Sequence, residues 1–298
     1  MQRKISIIIP SRDEGEEPFN TVDSLFENCK SRQVDVIVVD DSWINHEWTK
    51  LPKSVTLVKT GKMKGFGEAI QLGVDHAKYD NILITGARTR FTDGFVDKIL
   101  PALKKPGIYC GASAILRYDQ TDVEKAEGIY YGARIKYRAN EEDSKGGRWL
   151  GWILNYGNRE KVEPLECAYG GHYITTKGWW EHIHGLKGIL TRGGCNQFLS
   201  LKTRAAGGEL ALIDDLTLGN VYREKTSYPV GDYEPLYNRA YIMAVLFGYG
   251  AGRKVLESYS NYKEYRSVKV VYDRMMGFIA NERHYHLSTR KQRIKFNQ

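Results

Sequence analysis

The first third of the chain alternates short apolar runs with amphipathic stretches. Residues 4–10 form a β-branched run that ends at a proline, and residues 34–39 form a second apolar run. Between them, Val22, Leu25 and Phe26 have the spacing of one helical face. A strand, a helix and a second strand in this order predict a βαβ unit with parallel strands.

The same alternation continues toward residue 90. Residues 55–59 predict a third strand, residues 67–77 predict a helix and residues 81–85 predict a fourth strand. We therefore expect a doubly wound, mostly parallel α/β sheet in this part of the chain. Ligands bind such sheets beyond the carboxyl ends of the strands, where the sequence places Arg12, Asp40, Asp41 and Arg88.

The pattern then changes. Residues 104–166 predict short strands and loops, and residues 169–223 predict helices and loops with several glycine pairs. From residue 228 onward the pattern is helical, and this part carries ten of the twenty tyrosines. We expect a domain of residues 1–225, with a first half of residues 1–100 and a second half of residues 101–225, and then a helical, basic C-terminal extension of residues 226–298.

The composition is that of a globular protein. Hydrophobic residues make up 42% of the 298 positions and charged residues 27%, which excludes a disordered or coiled-coil chain. The longest apolar stretch, residues 240–252, is too short to cross a bilayer, and the first residues have no leader pattern. The four cysteines have neither disulfide-framework nor zinc-site spacing. We expect a cytoplasmic protein with reduced thiols and no transmembrane segment.

Polar segments follow the first two predicted strands: residues 10–14 after the first, and Asp40 with Asp41 after the second. The run Pro-Ser-Arg-Asp-Glu and this acidic pair resemble the donor half of the Rossmann-like GT-A glycosyltransferases, especially family 2 and the polypeptide N-acetylgalactosaminyltransferases. The resemblance implies a nucleotide-sugar donor, with a UDP-sugar expected, and an acidic residue that binds its uracil or ribose. Taken alone, the acidic pair fits an alternative interpretation: two acidic residues in an ordinary polar loop after a strand, with no role in donor binding.

A helix with small residues comes next. Residues 64–77 resemble the Gly-x-x-x-Ala-x-x-x-Gly helix that lies beside the donor in this family, and small residues allow such a close approach. Simple helix packing accounts for Ala69 and Gly73 equally well, so Lys64 is the functional candidate. The predicted donor-binding residues are Pro10, Arg12, Glu14, Asp40, Asp41, Lys64, Gly65 and Ala87.

The segment after the fourth strand departs from the family. The resemblance implies an Asp-x-Asp or Asp-x-His triplet that holds Mn²⁺ or Mg²⁺, but residues 86–88 are Gly-Ala-Arg, and the family's downstream Phe-x-Asp-Gly-Phe run at residues 91–95 keeps the register. Arginine repels a divalent cation and binds phosphate oxygens. We therefore predict no metal ligand here, a catalytic role for Arg88 in neutralising the diphosphate, and metal-independent transfer. A degenerate, inactive site is the alternative.

The second half of the chain resembles the acceptor half of the same family in the order and spacing of its glycine pairs. Two residues depart: Cys195 stands where the family has Glu, and Asn220 where it has a metal-binding His. The catalytic base must then come from elsewhere, or the mechanism must retain the configuration. Asp214 and Asp215 are the first candidates for the base, although plain loop acids would look the same. Of two adjacent tryptophans, one is expected in the core and one as a stacking platform. The predicted acceptor-binding residues are Gly171, His172, Trp179, Trp180, Asn196 and Asn220.

The extension interleaves tyrosines with basic residues, and the net charge of the chain is +8. Cations beside stacking rings are typical of a nucleic-acid groove, which makes a modified base in DNA one candidate acceptor. A solvated helical face over a small tyrosine core, or contact with anionic lipid, is the alternative. The alternative function is an inactive GT-A domain that binds a nucleotide sugar, a glycan or nucleic acid. The sugar, the stereochemical outcome and the oligomeric state stay open.

Overall fold

The computed structural model describes residues 4–30, 34–43, 47–118, 120–137, 150–156, 165–191, 193–222 and 233–291. Within these residues the strands are β1 (Ile5–Ser11), β2 (Val34–Asp40), β3 (Val55–Lys59), β4 (Asn81–Ile84), β5 (Thr89–Arg90), β6 (Gly107–Leu116), β7 (Gly128–Tyr137), β8 (Leu150–Tyr156), β9 (Tyr173–Thr176) and β10 (Glu209–Val221). The α-helices are α1 (Glu17–Asn28), α2 (Phe66–His76), α3 (Phe95–Ile99), α4 (Lys177–His182), α5 (Cys195–Ala205), α6 (Tyr233–Phe247), α7 (Tyr249–Ser258), α8 (Tyr265–Arg274) and α9 (Met276–Thr289).

The described strands form one ten-stranded sheet. Its main path runs β3-β2-β1-β4-β9-β6-β10-β5, and β7 and β8 extend it beyond β6. Strands β3, β2, β1 and β4 are parallel, as the βαβ pattern predicts. Strand β9 is antiparallel to both β4 and β6. The prediction of short strands after residue 104 was wrong for β6 and β7, because each is ten residues long.

Alternate residues of the first strands face two separate cores. Ile8 packs with α2 and with the helices of the second half, whereas Ile7 and Ile9 pack with α1 and α3 on the other face. This alternation follows from the two-residue period of a strand buried on both sides. On α1, Val22 and Leu25 are buried as predicted, but Phe26 is 36% exposed.

The C-terminal helices are part of the first of these cores. Most described tyrosines of α6 to α9 point inward, with Tyr237, Tyr241 and Tyr272 fully buried. The predicted boundary between residues 225 and 226 lies outside the described residues. In the part of the chain that is described, no helix is long and apolar enough to cross a membrane.

The contact between α2 and the sheet allows no side chain at Gly73. A Cβ atom there would lie 2.4 Å from Cγ2 of Ile8 and 3.0 Å from Cγ2 of Val39. We expect Gly73→Ala to lower the free energy of unfolding by about 1–3 kcal/mol, because the added methyl overpacks the core. Gly277→Ala is the matched control, since a Cβ at Gly277 meets nothing within 4 Å. Urea denaturation of both variants is the measurement, and equal midpoints would contradict this packing.

Candidate donor site

A cleft of about 380 Å³ opens at the carboxyl edge of the parallel strands. It lies where β1 and β2 end and where α2 begins, which is the edge that the sequence predicts. The residues that line it are Pro10, Ser11, Arg12, Glu14, Asp41, Phe66 and Thr191.

Asp41 organises the loops around the cleft. Its Oδ1 accepts hydrogen bonds from the Thr60 hydroxyl at 2.9 Å and from the Lys64 amide at 2.7 Å. Its Oδ2 accepts from the Gly65 amide at 3.0 Å and from Nη2 of Arg12 at 2.9 Å. With four protein donors already on this buried carboxylate, its evident role is to position the other cleft residues.

Asp40 has fewer partners than Asp41. Its Oδ2 accepts from the indole of Trp48 at 2.7 Å, and its Oδ1 accepts from the Ser42 amide at 3.1 Å. Each oxygen therefore keeps a lone pair that a hydroxyl or a base N–H could use. Asp41 lines the cleft and Asp40 does not, but Asp40 has more hydrogen-bonding capacity left for a donor.

The loop before α2 approaches the cleft closely. Gly65 has φ +99°, and a Cβ there would lie 2.1 Å from the Leu190 carbonyl oxygen, so only glycine fits. The side chain of Lys64 is exposed beside it. Ala87 is buried, and its carbonyl accepts from the Thr21 hydroxyl at 2.8 Å, which fixes the backbone next to Arg88.

Arg88 forms an ion pair with Glu14, one of the residues that line the cleft. Nε of Arg88 donates to Oε2 of Glu14 at 2.6 Å, and the two side chains are 15% and 12% exposed. Nη1 of Arg88 is buried and has no hydrogen-bond partner among the described residues. A buried guanidinium nitrogen without a partner is costly unless a ligand satisfies it. An incoming anion could therefore accept a hydrogen bond from Nη1.

Asn220 lies beside Arg88. It stands at the position where the family resemblance implies a metal-binding His. Asn220 pairs with Thr89 across β10 and β5, and the Val221 amide donates to the Arg88 carbonyl at 2.9 Å. The structure thus brings together two of the three positions at which the sequence departs from the family resemblance, those of Arg88 and Asn220.

The side chains at these two positions do not fit a divalent metal. Mn²⁺ and Mg²⁺ need several oxygen ligands, but one position holds an arginine and the nearby Glu14 carboxylate is already paired with it. Over the described residues, no group of three or more His, Cys, Asp and Glu side chains could hold a metal ion.

His172 is buried under the end of β4. Its Nδ1 lies 2.8 Å from the Thr85 hydroxyl, which lies 2.7 Å from the Thr89 hydroxyl, and Thr89 donates to the Gly86 carbonyl. Because each hydroxyl carries one hydrogen, this chain leaves Nδ1 as the donor and Nε2 unprotonated. Burial lowers the pKa of His172 to about 4. The imidazole is therefore neutral near pH 7 and fixes the β4–β5 turn.

This burial predicts that the protein loses stability in mild acid. The folded-state pKa is about 4, below the ordinary 6.5, so the unfolded chain takes up the proton first as the pH falls. From pH 7 to pH 5 we expect His172 to reduce the free energy of unfolding by about 2 kcal/mol. His286 has the same lowered pKa and adds a similar loss. Urea titrations at the two pH values test this, and a His172→Gln variant should lose its share of the pH dependence.

Asp214 and Asp215 do not lie at the cleft. They were predicted to follow a strand, but they lie within β10, in a bulge where the pairing with β6 shifts between Leu212 and Thr217. Both are exposed, and Asp215 has φ +58°. Five residues of strand, about 16 Å, separate Asp215 from Asn220. Neither residue lines the cleft, and their role as the catalytic base stays a prediction.

The predicted tryptophan platform is also absent. Trp179 and Trp180 are 8% and 0% exposed, so the prediction that one of them has a free face was wrong. Trp180 donates its indole hydrogen to Gln71 at 3.0 Å and lies against Gly185, whereas Trp179 lies against Gly208. Both rings belong to the core.

The remaining acceptor candidates surround the start of α5. Gly171 has φ +72° in the loop before β9. Asn196 is partly buried and accepts a hydrogen bond from the Tyr173 hydroxyl. Burial raises the pKa of the Cys195 thiol to about 12, so Cys195 is no substitute base for the family's glutamate.

Sequence reasoning missed three residues that shape the cleft. Phe66 and Thr191 line it; Phe66 lies within the motif of residues 64–77 but was given no role, and Thr191 belongs to no motif. Asn238 of α6 is fully buried, accepts from the Leu190 amide at 3.0 Å and donates to the Thr191 carbonyl at 3.0 Å. The C-terminal helices therefore support the wall of the cleft. The one sequence signal for this role of Asn238 was its amide side chain within the largely apolar run of residues 236–246.

Comparison with solved structures gives the fold. A crystal structure of GalNAc-T7 with UDP, GalNAc and Mn²⁺ superposes with a TM-score of 0.69 at 16% identity, over 96% of this chain and 55% of that one. TarS residues 1–349 from S. aureus, in complex with UDP-GlcNAc, superposes with a TM-score of 0.51 at 12% identity, over 88% and 72%. The architecture is the GT-A fold, as predicted.

Sequence comparison gives the family. Human and bovine polypeptide N-acetylgalactosaminyltransferase 6 are each 24% identical, over 211 and 221 residues that make up 66% of this chain. The chain spans about a third of the length of these curated relatives, because the match covers 34% of each. The profile of Glycosyl transferase family 2 matches residues 6–155, which is half of the chain. The chain therefore belongs to glycosyl transferase family 2.

Proposed function

We propose that this protein transfers a sugar from a nucleotide-sugar donor, a UDP-sugar, to a hydroxyl acceptor without a divalent metal. The family and the cleft at the strand ends support the donor class. One observation carries the proposal: a guanidinium with a buried nitrogen that has no partner among the described residues lies in the segment where the family resemblance implies a metal-binding triplet. A positive group there stabilises a leaving diphosphate.

The reaction exchanges one bond for another. The bond from the anomeric carbon to the diphosphate oxygen breaks, and UDP leaves with the electron pair. The acceptor oxygen forms the new bond to that carbon, and its hydroxyl proton is released. Negative charge develops on the oxygens of the departing diphosphate, and the guanidinium of Arg88 stabilises that charge. Glu14 holds Nε of that guanidinium, which limits its rotation.

Turnover is expected to survive chelation. Because Arg88 supplies the positive charge, UDP release from a UDP-sugar should keep its rate in excess EDTA, and added Mn²⁺ should not raise it. The panel of donors includes UDP-GlcNAc and UDP-GalNAc, since the sugar is open. A coupled nucleotide-release assay measures both conditions. Activity that disappears with EDTA and returns with Mn²⁺ would contradict the metal-independent part alone, whereas donor binding without turnover would favour the inactive binding domain.

A modified base in DNA is the acceptor candidate that the charge distribution favours. Arg253, Lys254, Arg266 and Arg274 are exposed on α7 and α8 and could contact phosphates. The tyrosines of these helices are mostly packed inward, so the predicted stacking role is confined to exposed or half-buried rings. Retention on a DNA column that falls steeply with salt supports this acceptor. Elution independent of salt contradicts it and leaves the transferase proposal intact.

A further inference from the structure

A second, small cavity, with room for about one water-sized ligand, lies where α9 meets α5, α6 and the loop after α4. We call it the seam cavity, and the residues that matter below are His184, Lys202, Glu282 and His286, all of which line it. Helix α9 contributes Glu282 and His286, and the second half of the chain contributes the other two. The cavity is thus built from both sides of this packing contact, away from the donor cleft.

The one carboxylate in the seam cavity is already neutralised. Oε1 of Glu282 lies 2.6 Å from Nζ of Lys187, and Oε2 lies 2.9 Å from Nδ1 of His184. These contacts keep the pKa of Glu282 low against the effect of burial. Tyr285 stacks on His184 with ring centroids 3.5 Å apart and holds that ring in place. The negative charge of Glu282 is therefore balanced before any ligand enters.

Lys202 brings a positive charge into the same cavity. It is 5% exposed, and its Nζ donates to the carbonyls of His184 at 3.2 Å and Gly185 at 2.7 Å. Nζ also lies 4.3 Å from the centroid of the Phe198 ring. An ammonium group has three hydrogens, so the two carbonyls leave one of them without an oxygen acceptor. No described carboxylate lies within ion-pair distance of Nζ, and burying a charge without a counter-charge is unfavourable.

His286 presents a second polar atom to the seam cavity. The side chain is 5% exposed, and Nε2 is buried with no hydrogen-bond partner in the described residues. The charged groups whose field reaches this ring are Lys202, Arg283 and Arg290, all of them cationic. The local potential is therefore positive, which disfavours a cation as occupant and favours an anion.

We propose that the seam cavity binds a small monovalent inorganic anion, such as chloride, between Nζ of Lys202 and Nε2 of His286. The anion completes the hydrogen bonding of both groups and places a counter-charge in direct contact with Lys202, which Glu282 supplies only from beyond ion-pair distance. It also joins α9 to α5, so occupancy stabilises the packing of the C-terminal helices.

Without an anion in the cavity, burial disfavours the cationic forms of Lys202 and His286. Burial lowers the pKa of Lys202 to about 7 and that of His286 to about 4. An anion between them favours both cationic forms, so it raises both pKa values and binds more tightly as the pH falls. His184, Lys187, Glu282, Arg283 and Arg290 are the other charged or titratable groups that act on the two sites.

A bromide soak tests the site directly on the full-length wild-type protein. We expect an anomalous peak within hydrogen-bond distance of both Nζ of Lys202 and Nε2 of His286, with bromide as the probe for chloride. A water molecule there, or no density, at high bromide concentration would overturn the proposal. This experiment requires no substitution, so it does not depend on the folding of a variant.

Thermal unfolding provides the test in solution. Replacing gluconate with chloride at constant ionic strength and pH 6 should raise the unfolding midpoint by about 5 °C at saturation. Lys202→Met and His286→Gln should each lose this shift, whereas Lys53→Met, which removes an exposed lysine before β3, should keep it. The proposal is wrong if chloride has no effect on the wild type, or if both seam variants keep the full shift.

Discussion

Arg88→Ala is expected to lower the turnover number by about 10²–10³-fold, the effect of removing one preorganised donor from a developing oxyanion. Nη1 of Arg88 is buried without a described partner, and Glu14 restrains the guanidinium through Nε. This geometry places the positive charge before the donor binds, so little rearrangement is needed as the diphosphate leaves. UDP release from the best donor, measured under saturation, gives the turnover number.

Two variants show whether the loss comes from charge or from folding. Arg88→Lys keeps the charge but loses the planar donor set, so it should recover part of the rate. Arg117→Ala removes an exposed arginine that pairs with Glu127, and it should behave like the wild type. A fully active Arg88→Ala protein with an unchanged unfolding midpoint would contradict the role of Arg88.

Asp41→Ala is expected to lower the free energy of unfolding by about 3–5 kcal/mol and to abolish measurable donor binding. The change leaves Arg12, 12% exposed, without the carboxylate that pairs with it at 2.9 Å. It also leaves the hydroxyl of Thr60 and the amides of Lys64 and Gly65 without their acceptor. The loop before α2 then loses its attachment to the end of β2.

Denaturation midpoints and calorimetric titration with UDP measure the two consequences. Asp41→Asn keeps one oxygen acceptor and the side-chain volume, so it should fall between the alanine variant and the wild type. Asp93→Ala removes an exposed aspartate that pairs with Lys30, and it should match the wild type in both measurements. If Asp41→Ala binds UDP normally, the proposed role of Asp41 as the organiser of the cleft is wrong.

Local sequence patterns predicted the donor half well. The β-branched run that forms β1 and the acidic pair that ends β2 are short-range signals, and parallel strands place their carboxyl ends together. Arg12, Glu14 and Asp41 therefore meet at one cleft, as the sequence indicates. The position of Arg88 beside Asn220 follows from the spacing of the family motifs.

Features that depend on distant contacts could not be predicted in this way. The bulge in β10 that carries Asp214 and Asp215 away from the cleft arises from pairing with β6. Both adjacent tryptophans are buried because Gly185 and Gly208 leave room for their rings. The support that Asn238 gives to the cleft wall joins residues 47 or more positions apart.

The most direct test of the central claim is a crystal structure grown with UDP and Mn²⁺ together. The account predicts that Nη1 of Arg88 lies within hydrogen-bond distance of the diphosphate oxygens, while the anomalous map at the manganese edge is empty beside the phosphates. A manganese ion on the diphosphate, with the Arg88 side chain turned away from it, would contradict the claim that the Arg88 guanidinium replaces the metal in stabilising the diphosphate.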